Sequence, residues 1–321
     1  MVKRVTIVDI AKEANVSVSA VSKALMDAPD ISNKTKELIR NTAEQLGYVQ
    51  NISAASLKSG NSKMIAIICD SLLNPYYYEM IYYLEIHLSE KNYIVAIYRS
   101  NEFDMKIFNS ILSRNFAGVI SFITPNAEVE TQLKKHSFPV VLLGRRGNSL
   151  SSICMDDYKV GKLAAEYFVN NNIKKPIYFG ELKTFPITAL RYKGFNEVLN
   201  DNNIKPIDYY KEKGIGVTDL IEKNEKMKND LIMSDGIYCF SDIIAFEIIR
   251  YFRSIGKNPP MIIGVDNIQS EIPLPFSMLS ISVNKEALVD KAIKILIDQI
   301  NDRDTSVKIL TEDVILNKAN W

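Results

Sequence analysis

A chain of 321 residues, 47% hydrophobic and 24% charged, can hold two or three domains with cores of their own. Its net charge of +1 hides an asymmetry: residues 1–63 carry nine Lys and Arg against six Asp and Glu, and the remainder carries 30 against 32. No apolar run approaches a membrane span, and Cys69, Cys154 and Cys239 lie far apart beside apolar residues, which excludes a disulfide framework and suggests buried free thiols in a cytoplasmic protein.

In chain order, the first element is TIVDIAKEANVSVSAVSKAL, Thr6 to Leu25. It enters a capped amphipathic helix directly, with no apolar leader-like run, so a secretory signal is not expected. Thr6 caps the helix and Asp9, three residues on, completes an acidic capping box. Ile7, Ile10, Ala11 and Ala14 give one apolar face. Asn15 ends the helix in a left-handed turn, and Val16 fills the angle before Ser17 caps a second helix. That helix turns Val21, Ala24 and Leu25 inward and Val18, Ser19, Ala20, Ser22 and Lys23 outward. Two short helices with a small, polar outer face are the shape that enters the DNA major groove; an ordinary helical hairpin is the competing reading. A third helix is expected from Asn33 to Leu46, capped by Ser32 and stopped by Gly47, with Leu38, Ile39, Ala43 and Leu46 inward. The stretch from Asn51 to Gly60 is too short to be a stable helix alone, and it exposes Leu57.

Val5 to Gly60 resembles the headpiece of the LacI/GalR family of bacterial transcriptional regulators, on VTIVDIAKEANVSVSAVSKAL, the Gly47-Tyr48 pair and Ser56-Leu57. The resemblance implies that Val18, Ser19 and Lys23 occupy base-reading positions and that Leu57 is a hinge leucine wedged into a minor-groove step. The expected DNA surface is Thr6, Ser17, Val18, Ser19, Ala20, Ser22, Lys23, Asn51 and Leu57. Ala20 replaces the family's usual threonine and Lys23 its usual arginine; a lysine is a point charge without the planar fork that reads guanine.

After Ser62, short apolar runs alternate with helical stretches, which predicts parallel sheets covered on both faces. Strands are expected at Met64–Cys69, Tyr93–Tyr98, Gly118–Ile123, Val140–Leu143, Pro176–Gly180, Gly236–Cys239, Met261–Val265 and Met278–Ser282. Helices are expected at Tyr76–Glu90, Met105–Asn115, Tyr158–Asn171, Ile187–Leu199, Asp242–Ser254 and Lys285–Ile300, with one last strand-like run at Lys308–Leu316. Ligands bind past the carboxyl ends of such strands, where the sequence offers Asp70 to Tyr76, Arg99, Ser100, Thr124, Gly144, Arg145, Asp156, Asp157, Ser241, Asp242, Asp266 and Asn267. Polar residues of this kind beside aromatics suit a sugar or nucleoside, although Asp, Asn and Ser end strands in any α/β fold.

SLLNPYYYEMIYYLE, CMDDYKVGKLAAEYF, SDIIAFEIIRYFRSIG and IIGVDN extend the resemblance across this body. They imply a two-lobed, periplasmic-binding-protein-like α/β fold, with Asn74, Tyr76, Arg191, Ser241, Asp242 and Asp266 as effector contacts. Arg191 and Asp266 are expected to clamp a polyol, with an ion pair between them as the structural alternative. Val283 stands where many members have glutamine, Lys211–Thr218 lacks a stacking aromatic, and Phe185 is the aromatic available to replace it.

The expected organisation is a helix-turn-helix domain over residues 1–49, a hinge helix or linker over 50–62, and an effector-binding and dimerisation domain over 63–321. Its lobes are expected to divide near 151–157, with a return near 278–283. The expected partners are double-stranded operator DNA, a second copy of the chain and a small effector, a sugar or related metabolite. Repression relieved by the effector is the leading reading, a corepressor mode the second, and a pure sugar-binding module the rival from another class. No cofactor, metal or enzymatic activity is expected: His87 and His136 have no ligand partners at metal spacing and read as surface residues, Asp156 and Asp157 point apart, and no nucleotide-binding loop or serine elbow occurs.

Overall fold

The computed structural model describes residues 5–49, 62–268, 278–302 and 306–318. The chain separates into two compact units, Met1–Ser62 and Lys63–Trp321.

The first unit holds α1 (Ile7–Glu13), α2 (Val18–Leu25) and α3 (Asn33–Gln45) around Ile10, Ala11, Val21, Ala24, Ile39 and Ala43. The Asp9 carboxylate accepts from the Thr6 N–H at 2.8 Å and from its hydroxyl at 2.7 Å. Asn15 takes φ 51°, which lets the chain reverse between α1 and α2. Ser17 Oγ accepts from the Ala20 N–H at 3.1 Å and Ser32 Oγ from the Thr35 N–H at 3.2 Å. Leu38, expected inward, is 49% exposed. The buried stripe of α3 runs through Lys36, Ile39 and Ala43, and Leu38 sits about 100° around the helix from Ile39, past its edge. Residues 50–61 of the expected hinge, Asn51 and Leu57 among them, lie outside the described residues.

The second unit builds two six-stranded sheets. Its first run is β1 (Met64–Cys69), α4 (Pro75–Ser89), β2 (Ile94–Arg99), α5 (Met105–Ser113), β3 (Gly118–Ser121), α6 (Ala127–Lys135), β4 (Val140–Leu143) and β5 (Ser151–Met155). The second is α7 (Asp157–Asn170), β6 (Pro176–Gly180), α8 (Pro186–Asp201), β7 (Ile207–Tyr210), α9 (Val217–Lys223), α10 (Glu225–Met233), β8 (Gly236–Cys239), α11 (Asp242–Ser254), β9 (Met261–Val265) and β10 (Leu279–Ser282). α12 (Lys285–Ile300), β11 (Ile309–Glu312) and β12 (Ile315–Lys318) complete the described elements. Strand order is β11-β5-β4-β3-β1-β2 in the first lobe and β12-β10-β9-β8-β6-β7 in the second. Pairing is parallel except where β12 runs antiparallel to β10.

Most strands match the apolar runs because buried parallel strands must be apolar on both faces. Four are not separated by the sequence pattern. Ser151–Met155 is polar at its start yet fully buried between β4 and β11, and Ile207–Tyr210 is a half-exposed edge. The run Lys308–Leu316, expected as one strand, divides into β11 and β12, which belong to different sheets. Helices α6, α9 and α10 are not among the expected helices; they span only seven to nine residues.

The chain therefore passes between the sheets three times: after β5, after β10, and at 313–314 between β11 and β12. The first and third passages touch, with the Asp156 N–H donating to the Glu312 carbonyl at 3.2 Å and Lys159 Nζ 2.8 Å from Asp313 Oδ1. His87, expected at the surface, lies between α4 and α12, where Asp290 and Glu286 flank its ring. Its pKa is raised, chiefly by the hydrogen bond to Asp290.

Candidate functional site

In the first unit the N-terminus of α2 presents Val18 and Ser19 outward, with Lys23 one turn further. Val18 is 40% exposed, while Ala20 and Ser22 are half-buried. The Thr6 and Ser17 hydroxyls are committed to capping, so what those positions offer an incoming phosphate is chiefly the free N–H groups of the helix ends they define. Lys23 pairs with Asp30 just beyond the helix. Asp27, at φ 60°, pairs with Lys36 at 3.1 Å and Arg40 at 2.9 Å. The carboxylates of these pairs are open to solvent, so a phosphate or a base edge can compete for their cations.

In the second unit, side chains just past the carboxyl ends of both sheets converge. Helix α7 crosses α8 with a glycine on each side. A Cβ on Gly161 would overlap the Arg191 carbonyl oxygen and lie 2.8 Å from the Phe195 amide nitrogen; one on Gly194 would overlap the Tyr158 carbonyl oxygen. That close approach sets Arg191 of α8 against Asp157 of α7. Arg191 Nε lies 2.8 Å from Asp157 Oδ1, and both side chains are less than a tenth exposed. Arg191 also donates to the Phe240 carbonyl, reaches Met155 Sδ at 3.4 Å and stacks 4.4 Å from the centre of the Phe240 ring. Its ion-pair partner is thus Asp157, not Asp266 as the structural alternative supposed.

Asp266 follows β9 at φ 101°, a conformation that costs a non-glycine residue roughly 1–3 kcal/mol. Asn267, at φ 49°, donates its N–H to Ser280 Oγ at 2.9 Å, and the Asp266 N–H donates to the Ile281 carbonyl at 2.9 Å. Burial pushes the Asp266 carboxyl above its ordinary range, against the pull of Arg191, Lys285 and Arg145.

Asp242, expected in the pocket, is fully buried. Its Oδ1 accepts from the Ser280 hydroxyl at 2.7 Å and its Oδ2 from the Ile268 N–H at 2.9 Å. A Cβ on Gly264 would overlap Oδ1, so no room remains for a ligand atom on that side. Both carboxylate oxygens of Asp242 are thus engaged in clamping the turn that carries Asp266. Ser241 is 9% exposed and caps α11, accepting from the Ile244 N–H at 3.4 Å. Asn74 caps α4, accepting from the Tyr76 N–H at 3.0 Å. Tyr76 is buried edge-to-face against Tyr77 and Phe122. Its hydroxyl rests on Gly144, where a Cβ would come within 2.8 Å. Burial raises its pKa, and the Asp266 charge adds to the rise.

Arg145 and Phe185 complete the arrangement. The Arg145 guanidinium, from the turn after β4, lies 4.9 Å from the Phe185 ring centre in the other lobe, and donates to Tyr77 Oη at 3.4 Å. Phe185 in turn packs 6.0 Å from Phe240. Beneath this layer the Tyr238 hydroxyl and Thr188 Oγ1 are buried without hydrogen-bond partners among the described residues. Arg145 and Asp157 are visible in the sequence as residues past strand ends, but sequence alone gives no reason to prefer them to their neighbours.

The family description "Bacterial regulatory proteins, lacI family" matches residues 6–51, and "Periplasmic binding protein-like domain" matches residues 165–313. The chain is 24% identical to the HTH-type transcriptional regulator MalR of Clostridium butyricum, over 96% of each protein. It is 26% identical to the HTH-type transcriptional repressor PurR of Pasteurella multocida (strain Pm70), over 98% of each. In fold it resembles the lac repressor dimer bound to operator and the anti-inducer ONPF, with a TM-score of 0.83, 18% identity and 98% of each chain covered.

Proposed function

The chain belongs to the lacI family of bacterial regulatory proteins, and from that premise we propose that it reads a near-palindromic operator as a homodimer and releases it when a sugar-like effector enters the interlobe cleft. It is a DNA-binding transcriptional regulator, not an enzyme, and it acts where the chromosome lies, in the cytoplasm. The observation that carries the reading is the pairing, in one chain, of a capped helix-turn-helix with a two-lobed body whose polar residues converge at strand ends. A twofold dimer presents two α2 helices one DNA turn apart, and effector binding that alters the lobes couples reciprocally to operator affinity.

Gel-shift titration of the full chain against genomic fragments at low salt tests the DNA arm. At least one fragment should be retained at nanomolar protein; no retained fragment at all would end the regulator reading. Leu57→Ala should weaken binding to that fragment far more than binding to random DNA, because a wedge acts only at a kinkable step. Equal losses on both would remove Leu57 from the operator centre.

The dimer contact is best placed on the first lobe. Tyr78 and Tyr82 are 42% and 59% exposed on α4, and Ile97 is 44% exposed on the edge strand β2. Ile97 pairs in register with Ile67, which faces the core beneath α4, so all three share one side of the sheet. Tyr82→Lys with Ile97→Lys should convert dimer to monomer in light scattering and weaken operator binding; an unchanged mass would place the interface elsewhere.

A further inference from the structure

The charges around the cleft do not cancel evenly. Asp157 is neutralised by Arg191, Glu79 by Lys285, and Asp242 is satisfied by Ser280 and the Ile268 N–H. Asp70, Arg99, Arg145 and Asp266 are among the charges past the strand ends that have no ion pair among the described residues, and of these Arg145 in the first lobe and Asp266 in the second bear on each other. Of the five guanidinium N–H donors of Arg145, one goes to the Gly144 carbonyl at 3.1 Å and one to Tyr77 Oη at 3.4 Å. The group is only half-buried and is held in place across the cleft by the Phe185 ring. The Asp266 carboxylate has no hydrogen-bond donor among the described residues, on a backbone fixed in a strained conformation.

Resting on the effector reading above, we propose that the effector is a polyhydroxylated anion, its carboxylate or phosphate held by Arg145 and its hydroxyls by Asp266. A guanidinium with free donors binds an oxyanion by short, charge-assisted bonds. Asp266 takes hydroxyl donors and not an ammonium, because Arg145, the cation near it without an ion pair, would repel one, while Arg191 and Lys285 are already matched by Asp157 and Glu79. Phe185 and Phe240 supply apolar faces for the C–H side of a sugar ring.

The test is a thermal-shift and calorimetric series on the full-length protein. The probes are glucose, fructose and ribose, the corresponding phosphates (glucose 6-phosphate, fructose 1-phosphate, ribose 5-phosphate), and the acids gluconate and glucuronate, at matched ionic strength. At least one anion should raise the melting temperature saturably while its neutral parent does not, and the phosphate and acid arms identify which oxyanion is bound. Arg145→Gln should weaken that anion about 10- to 100-fold, the range lost with a hydrogen bond to a charged group, and Arg145→Lys should restore part of it. Asp266→Asn should weaken the sugar anion without creating affinity for the neutral sugar. The proposal is overturned if a neutral sugar binds as well as its anionic derivative, if Arg145→Gln leaves the anion's affinity unchanged, or if no anion binds. Binding of a neutral sugar alone leaves the sugar-effector reading standing and removes only the anion; binding of nothing in the series removes both.

Discussion

Gly161→Ala is expected to destabilise the two-lobed body by about 3 kcal/mol, with a fall in melting temperature of roughly 6–12 °C by circular dichroism. Two effects oppose each other at this position. Alanine in place of glycine inside a helix ordinarily gains about 1 kcal/mol. Here the added methyl meets backbone, the Arg191 carbonyl oxygen and the Phe195 amide, which cannot rotate aside. Helices α7 and α8 must move apart, and Phe168 and Phe195, packed 5.8 Å apart across the crossing, lose contact with each other. Gly194→Ala should behave alike, since its methyl meets the Tyr158 carbonyl oxygen. A rise of about 1 kcal/mol in either variant would mean that helix propensity alone decides and that the crossing is loose enough to admit a methyl.

Asp157→Ala is the second large effect, with an expected loss of about 3–5 kcal/mol. The deletion leaves the Arg191 guanidinium buried and without its carboxylate, and an uncompensated buried charge costs far more than the pair contributes. Arg191→Met alone should also destabilise, because Asp157 is then the stranded charge. The double variant Asp157→Ala with Arg191→Met should recover much of the loss, giving a coupling energy of a few kcal/mol in the cycle. Additive losses would show that each residue acts through separate contacts, Arg191 through Phe240 and Met155. The pair also decides how Arg191 meets an effector: Asp157 fixes its Nε, so a ligand has only the terminal nitrogens, one of them already on the Phe240 carbonyl.

Much of this is legible in the residues, and the reason is local. Capping chemistry is written within three or four positions: Thr6 with Asp9, Ser17 before α2, Ser32 before α3. Asn15 marks the turn because few other side chains tolerate a positive φ. Strands such as Met64–Cys69 and Met261–Val265 are apolar runs because both faces are covered. Leu38 misleads because apolar character counts only in phase with the helix.

The arrangement of the cleft is decided elsewhere. Asp157 and Arg191 are 34 residues apart, and only the Gly161–Gly194 crossing brings them together. Asp242 looks like a ligand residue at a strand end, and becomes a clamp because Gly264 leaves space for its carboxylate and Ser280 answers it from another strand. Arg145 gains meaning only opposite Phe185 in the other lobe. Sequence by itself determines the features set by neighbours along the chain: the helices and their caps, the strand runs, and the class of protein they announce. Tertiary structure alone decides which charges cancel and which stay open, because electrostatic partners are chosen by distance in space and by burial.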